Sequence, residues 1–214
     1  DSQARVLLEF LGNVRDREIL DVGTGTGRAA ILLAHEGARV TGVDASREML
    51  AVAEQRAAAE HASVRFLVGD AHLLEFADRR FDSALSLRVI MHTPNWRACI
   101  GELCRVANRL VVLDYPSAQS AAAIESMGRR VARATGGDTE AYRVFRPATI
   151  ARELTSHGFR IRAVHRQFVL PIAFHKAFGS PGFTRGLEGA LERVGLLALA
   201  GSPVTIVAER CASS

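Results

Sequence analysis

Short apolar runs alternate with stretches of helical periodicity along the first half of the chain. Five of these runs have the length of a buried strand: residues 18–22, 39–43, 64–68, 82–87 and 109–114. Four segments carry the spacing of amphipathic helices: residues 6–11, 28–35, 46–59 and 96–106. Because strands and helices alternate, we predict an α/β fold whose mostly parallel sheet is covered by helices on both faces.

The second half continues this alternation with longer elements. The pattern predicts helices around residues 118–134 and 148–157 and strands over residues 159–170 and 204–209. Residues 171–202 separate the last two strands and include a helical pattern around residues 186–199. We therefore predict a single domain over residues 1–214, with an insertion before its last strand.

The composition is that of an ordinary globular protein. Hydrophobic residues make up 48% of the 214 residues and charged residues 23%, which excludes a disordered chain. No apolar stretch reaches about 18 residues, so no transmembrane segment is predicted. The polar first residues are unlike a secretion signal, and Cys99, Cys104 and Cys211 have neither disulfide nor metal-ligand spacing. We expect a cytoplasmic protein without a metal site.

Charge divides the chain into two unlike halves. The formal net charge is +4, and 26 of the 27 basic residues are arginine, which a coding bias explains. Residues 1–114 contain 14 arginines and 16 acidic residues, whereas residues 115–214 contain 13 basic and 7 acidic residues. A basic excess raises the hypothesis of a nucleic-acid partner. Its confinement to the second half indicates instead that the two halves have different tasks.

A glycine-rich segment, Gly23-Thr24-Gly25-Thr26-Gly27, follows the first predicted strand and precedes a helix. Glycine permits positive φ and lets a ligand approach the backbone closely. The first turn of a helix also presents amides that have no partner within the helix. Because ligands of α/β sheets bind at the carboxyl ends of the strands, we predict that this glycine loop, residues 23–27, binds a nucleotide cofactor.

Carboxylates around the glycine loop indicate which nucleotide it binds. A dinucleotide fingerprint needs a third glycine where Arg28 stands, and Asp21 would repel a pyrophosphate. A cofactor with a cationic ammonium and sulfonium would instead be attracted to Asp21. Asp44 ends the second strand, 21 residues after Gly23, where a carboxylate can accept both ribose hydroxyl protons. Asp70 follows the third strand and can accept a hydrogen bond from an adenine amino group.

These motifs make the chain resemble the class I S-adenosylmethionine-dependent methyltransferases, and more narrowly the small-molecule enzymes of ubiquinone and menaquinone biosynthesis. The similarity is carried by four motifs between about residues 15 and 115: residues 21–27, 43–50, 68–71 and 81–86. It implies a doubly wound, Rossmann-like seven-stranded sheet, mostly parallel with the last strand antiparallel, and a helical insertion before that strand. It also implies a cofactor-binding half, residues 1–115, and a substrate half, residues 116–214.

The resemblance assigns the cofactor, S-adenosylmethionine, to residues at the ends of the first four strands. It implies that Asp44 binds the ribose, that Met49 lies beside the adenine and that Asp70 meets the adenine amino group. The implied cofactor-binding set is Asp21, Gly23, Thr24, Gly25, Gly27, Asp44, Ala45, Met49, Asp70, Ala71, Ser86 and Leu87. Two departures from the family pattern are the missing Lys-Pro-Gly-Gly turn before the fifth strand and the reduction of paired histidines to His92.

Catalytic and substrate residues are expected after the fourth and fifth strands. His92 is a candidate general base for a hydroxyl nucleophile, and Arg88 is a candidate partner for a substrate anion. The alternatives are a packing or hydrogen-bonding histidine and a surface arginine. The expected substrate contacts are Tyr115, Tyr142, Arg146, Phe174 and His175, with a structural role as the alternative for Tyr115.

Residues 154–187 contain no acidic residue, yet they hold five basic residues, three histidines and five of the ten phenylalanines. Part of this stretch precedes the last strand, where the family often carries a substrate cap. We hypothesise that residues 171–199 form a lid over an apolar pocket, and that the basic residues favour an anionic or membrane-associated substrate. A core helix with an arginine-rich surface is the alternative.

The predicted function is methyl transfer from S-adenosylmethionine to an oxygen of a small apolar or anionic molecule. C- or N-methylation, a non-catalytic S-adenosylmethionine-binding regulatory protein and a nicotinamide oxidoreductase are the alternatives. A nucleic-acid substrate is disfavoured, because residues 86–89 lack the Asn/Asp-Pro-Pro-aromatic tetrapeptide of DNA amino-methyltransferases. Peripheral membrane contact fits the basic second half, and the sequence does not predict an oligomeric state.

Overall fold

The computed structural model of the chain describes residues 2–118, 143–166 and 203–212. Within them lie five helices: α1 Ser2–Leu11, α2 Arg28–His35, α3 Arg47–Ala59, α4 Trp96–Val106 and α5 Pro147–Ser156. The strands are β1 Glu18–Val22, β2 Arg39–Asp44, β3 Val64–Val68, β4 Phe81–Ser86, β5 Ala107–Tyr115, β6 Phe159–Arg166 and β7 Val204–Arg210. None of the described helices is both long and apolar enough to span a bilayer.

The seven strands form one sheet in the order β3-β2-β1-β4-β5-β7-β6. Strand β7 is antiparallel to both of its neighbours, β5 and β6, and the other neighbouring pairs are parallel. The predicted doubly wound, seven-stranded sheet with an antiparallel last strand is therefore confirmed. The strand order reverses between β1 and β4, which is where open α/β sheets bind ligands at the carboxyl ends of their strands.

Two hydrophobic clusters cover the two faces of the sheet. Buried side chains of α4 and α5, such as Ile100 and Leu154, pack on one face together with alternate residues of the central strands. On the opposite face, Leu7 of α1 and Leu33 of α2 pack with the intervening strand residues. Burial on both faces explains why the central strands β1, β4 and β5 appear in the sequence as continuous apolar runs, whereas the edge strand β6 alternates.

Most predicted boundaries in the first half agree with the structure, and Ser46 caps α3 by accepting the Met49 amide at 3.2 Å. Two strand predictions need correction. Strand β4 is shifted by one residue, because the chain turns at Arg88, where φ is 61°. Strand β5 begins directly after α4, at Ala107, which pairs with Phe81 across a register irregularity.

Several predictions fall on residues outside those that the structure describes. These are the helix over residues 118–134 beyond Ala118, the end of the strand predicted over residues 159–170, the insertion 171–202 with its lid, and Tyr142, Phe174 and His175.

A close backbone contact joins the glycine loop to the segment that follows β4. Gly23 has a φ of 71°, and a Cβ atom built there would lie 2.2 Å from Cγ2 of Val89. A glycine is therefore required at this position both by the conformation and by the neighbouring side chain. The contact seats the β4–α4 loop, residues 87–95, directly on the glycine loop.

Gly23→Ala should destabilise the fold by about 2–4 kcal/mol, since it adds an overlap with Val89 to the cost of positive φ. Gly12→Ala is the matched control: Gly12 has a φ of 70° but no atom within 4 Å of its would-be Cβ, so it isolates the backbone cost. Urea unfolding measures both, and Val89→Ala added to Gly23→Ala should restore part of the loss. Equal effects of Gly23→Ala and Gly12→Ala would contradict the contact.

Candidate active site

The glycine loop is held to β2 and α3 by hydrogen bonds. The amides of Gly23 and Thr24 both donate to the carbonyl of Val43, at 2.7 and 3.0 Å. Nη1 of Arg56 donates to the carbonyl and the hydroxyl of Thr26, at 3.2 and 3.1 Å. These four hydrogen bonds restrain the conformation of the glycine loop. Its last residue, Gly27, has a φ of 76° and starts α2 without a side-chain cap.

Asp21 is a buried carboxylate at the entrance of the glycine loop. Its Oδ2 accepts the hydroxyl proton of Thr24 at 2.7 Å. Burial raises the pKa of Asp21 to about 6; the Thr24 hydrogen bond opposes this rise and the charge of Asp44 adds to it. No basic side chain of the described residues forms an ion pair with Asp21. A cation bound at the loop would lower this pKa and stabilise the ionised carboxylate.

Asp44 ends β2 and faces the glycine loop. Its Oδ2 accepts the Gly25 amide at 2.7 Å and its Oδ1 accepts the Ser46 amide at 2.9 Å. Because an ionised carboxylate has about four acceptor positions, these bonds orient Asp44 without exhausting its capacity to accept from a ligand. Ala45 is exposed, and Met49 is 47% exposed, unusually open for a methionine.

Asp70 follows β3 and is fixed by His72. Its Oδ1 accepts the backbone amide of His72 at 2.9 Å and lies 2.6 Å from Nδ1 of the His72 ring. These two hydrogen bonds, the backbone one first, lower the pKa of Asp70. The other ring nitrogen, Nε2, contacts the hydroxyl of Thr93 in the β4–α4 loop. Ala71 between them is partly buried against the core.

The β4–α4 loop is anchored at its start by a second buried carboxylate. The Arg88 amide donates to Oδ1 of Asp114 at 2.5 Å, and this bond holds the positive φ of Arg88. Asp114 lies at the end of β5, and burial raises its pKa to about 6. Ser86, the last residue of β4, is fully buried. The loop is thus attached to β5 through Asp114 and to the glycine loop through Val89.

A cavity of about 560 Å³ opens between the glycine loop and the β4–α4 loop. Among the predicted site residues, the structure brings together Asp21, Gly23, Thr24, Gly25, Leu87, Arg88 and His92 in its lining. Helices α1 and α2 complete the wall with apolar side chains such as Leu7 and Ile31. Asp44 and Asp70 stand at the carboxyl ends of the neighbouring strands, beyond this lining.

The predicted substrate residues that the structure describes are placed apart from this cavity. Tyr115 is fully buried in the hydrophobic core, where its ring meets Phe145 edge-on at 6.1 Å, and burial raises its pKa. This placement favours the structural role for Tyr115. Arg146 is exposed at the start of α5. Among the described residues, no group of three or more His, Cys, Asp or Glu side chains converges as a metal site would require.

Sequence reasoning missed three residues that shape the site: His72, Thr93 and Asp114. His72 and Thr93 are 21 residues apart, and Arg88 and Asp114 are 26 apart, so no local pattern joins them. Arg143 donates its amide to the Met91 carbonyl at 3.1 Å and its Nη1 to the Pro94 carbonyl at 3.1 Å. The one local signal was the spacing of Asp70 and His72, which is that of an aspartate accepting the amide two residues later.

Comparison with known proteins gives this geometry a family context. Residues 19–109 match the family model described as a methyltransferase domain. Demethylmenaquinone methyltransferase of Thermus thermophilus is 40% identical over 105 residues, which are 47% of this chain and 48% of that protein. An O-methyltransferase of Aspergillus nomiae is 32% identical over 117 residues, 51% of this chain and 52% of that protein. The chain thus spans about half the length of the curated relatives it matches.

Solved structures extend the likeness of the fold to nearly the whole chain. Magnesium protoporphyrin IX methyltransferase from Synechocystis, solved with bound SAH, superposes with a TM-score of 0.70 at 21% identity, covering 98% of this chain and 81% of that one. At this identity the likeness concerns the fold. Residues 19–109 are thus similar to a methyltransferase domain, and the chain resembles the class I S-adenosylmethionine-dependent methyltransferases, in particular those of menaquinone biosynthesis.

Proposed function

We propose that the protein transfers a methyl group from S-adenosylmethionine to an oxygen of a small molecule. The observation that carries this proposal is the buried Asp21, which has no ion-pair partner among the described residues and lies beside the glycine loop and Asp44. Two carboxylates at this place suit a cofactor with cationic ammonium and sulfonium groups and oppose a pyrophosphate. The cofactor-binding half is residues 1–115 and the substrate half residues 116–214.

Each carboxylate at the sheet edge is assigned one part of the cofactor. Asp21 and the glycine loop take the methionine part, Asp44 accepts from the ribose hydroxyls and Asp70 accepts from the adenine amino group. Met49 and Ala71 flank the adenine, and Ser86 and Leu87 lie along the methionine. The fixed orientation of Asp44 by the Gly25 and Ser46 amides supports this assignment, since a preoriented acceptor loses little freedom on binding.

The reaction is an in-line displacement, to which S-adenosylmethionine supplies an activated methyl group. The acceptor oxygen forms a bond to the methyl carbon while the carbon–sulfur bond breaks and its electron pair stays on sulfur. The hydroxyl proton passes to a base, for which His92 is the candidate, and Arg88 can pair with an anionic group of the acceptor. Both line the cavity, so the chain's main contribution is to orient the acceptor and exclude water there.

Binding of S-adenosylhomocysteine and of NAD, each measured by calorimetry, tests the cofactor. Release of S-adenosylhomocysteine from S-adenosylmethionine then tests the transfer, with demethylmenaquinol as the first acceptor because of the Thermus relative, and simple phenols beside it. Mass spectrometry of the product identifies the methylated atom. Preference for NAD would refute the proposal, and cofactor binding without transfer to any acceptor would favour a regulatory protein.

Asp44→Ala should weaken S-adenosylhomocysteine binding by about 1–3 kcal/mol, because it removes the acceptor of two ribose hydrogen bonds. Calorimetry measures the loss. Asp78→Ala is the control, since Asp78 is an exposed aspartate that pairs with Arg105 away from the cavity and should leave the affinity unchanged. Unaltered affinity in Asp44→Ala would reject the ribose role.

Binding of S-adenosylmethionine should weaken as the pH falls below about 6, since protonation of Asp21 removes the charge that attracts the cation. The affinity should fall by up to about tenfold per pH unit in that range and level off above it. Asp21→Asn should bind more weakly and abolish this dependence. Asp114→Asn is the control, because Asp114 has a similarly raised pKa but no assigned contact with the cofactor. A flat wild-type profile from pH 5 to 8 would contradict the role of Asp21.

A further inference from the structure

The β4–α4 loop carries His92 and is held from two sides. On one side, Arg143 donates its amide to the Met91 carbonyl and its Nη1 to the Pro94 carbonyl, each at 3.1 Å. On the other side, the buried hydroxyl of Thr93 contacts Nε2 of His72. The position of His92 at the cavity is therefore set by its immediate neighbours, Met91 and Thr93, through these two attachments.

The Thr93 attachment continues to a carboxylate. Because the ionised Asp70 can only accept, Nδ1 of His72, at 2.6 Å from it, carries the ring proton. In the neutral ring Nε2 is then an acceptor, and the Thr93 hydroxyl donates to it. Asp70, His72 and Thr93 thus form one ordered chain of hydrogen bonds from the β3–β4 segment to the β4–α4 loop, in which Asp70 determines the tautomer of His72.

The two ends of this chain differ in exposure. The Asp70 side chain is 65% exposed and the His72 side chain 29% exposed, whereas Thr93 is buried. A ligand that covers Asp70 removes it from water, which strengthens its electrostatic interaction with His72. A His72 ring whose orientation is more strongly restrained in turn restrains the Thr93 hydroxyl more strongly. Thr93, at the buried end of this series of hydrogen bonds, is therefore placed to respond when a ligand covers Asp70 at the exposed end.

We propose that His72 and Thr93 are positioning residues that couple occupancy of the adenine site at Asp70 to the order of the loop that carries His92. This inference rests on the proposed function, because it takes Asp70 as the acceptor of the adenine amino group. It adds that binding of the cofactor fixes the acceptor side of the cavity before the acceptor enters. Arg143 holds the same loop without contacting Asp70, His72 or Thr93 in the part of the chain that the structure describes, so it supplies static support.

Hydrogen–deuterium exchange of peptides over residues 87–95, with and without S-adenosylhomocysteine, tests the coupling. The His92 amide, which donates to the Val89 carbonyl at 2.9 Å, is a reporter within this segment. We expect S-adenosylhomocysteine to slow exchange about fivefold or more in the wild type, in the range of ordinary coupling energies. Thr93→Val keeps the shape of the side chain but removes the hydroxyl, so S-adenosylhomocysteine should no longer slow exchange in this variant. Thr93→Ser keeps a hydroxyl and should retain the slowing.

Two further variants separate coupling from structural support. Arg143→Ala should speed exchange over residues 87–95 in the free protein, yet S-adenosylhomocysteine should still slow that exchange. In His72→Ala, as in Thr93→Val, S-adenosylhomocysteine should no longer slow it. Thr93→Ala serves in place of Thr93→Val if the latter does not fold. If Thr93→Val and His72→Ala both bind S-adenosylhomocysteine and both show the same slowing of exchange as the wild type, the coupling is refuted while the proposed function stands. A wild type that does not bind S-adenosylhomocysteine would overturn the proposed function as well.

Discussion

The contact of Val89 on Gly23 is the constraint on which the arrangement of the site depends. The absence of a side chain at Gly23 lets the β4–α4 loop lie directly on the glycine loop. With the loop in that place, the Arg88 amide reaches Asp114 and the Thr93 hydroxyl reaches His72. Because the two loops contact each other, neither can shift without the other, and the cavity between them keeps its shape.

The electrostatics of the site depend on two neighbouring carboxylates, Asp21 and Asp44. Asp21 is buried without a cationic partner among the described residues, and Asp44 adds a second negative charge beside it. Such an arrangement costs stability in the free protein, since burial disfavours the ionised form. The cost becomes binding energy when a cation supplies the missing charge. The proposed cofactor, which carries cationic groups, would gain from this charge before any hydrogen bond to it forms.

Local sequence signals were sufficient for most of the framework. The bounds of β1, α2, β3 and α4 followed from apolar runs and from the glycines, whose effects are confined to a few neighbours. The convergence of Asp21, Leu87, Arg88 and His92 followed because parallel strands end at one edge.

Contacts between distant residues account for what sequence reasoning missed. The shift of β4 depends on Asp114, which holds the turn at Arg88 from 26 residues away. Tyr115 was expected at a pocket wall because it follows the predicted fifth strand. It instead belongs to β5, whose last residues are buried on both faces of the sheet, so its side chain lies in the core. The His72–Thr93 contact likewise requires two loops whose proximity only the folded sheet creates.

The place of β7 in the sheet has a consequence for how the molecule is assembled. Strand β7 follows β6 in sequence yet lies between β5 and β6, and within the described residues β6 pairs with β7 alone. During synthesis on the ribosome, the five strands from β1 to β5 can pair as they emerge, while β6 must wait. The nascent protein therefore reaches a stage in which the cofactor side is assembled but the edge of β5 is still open. Among the described strands, the sheet is completed only when β7 inserts between β5 and β6.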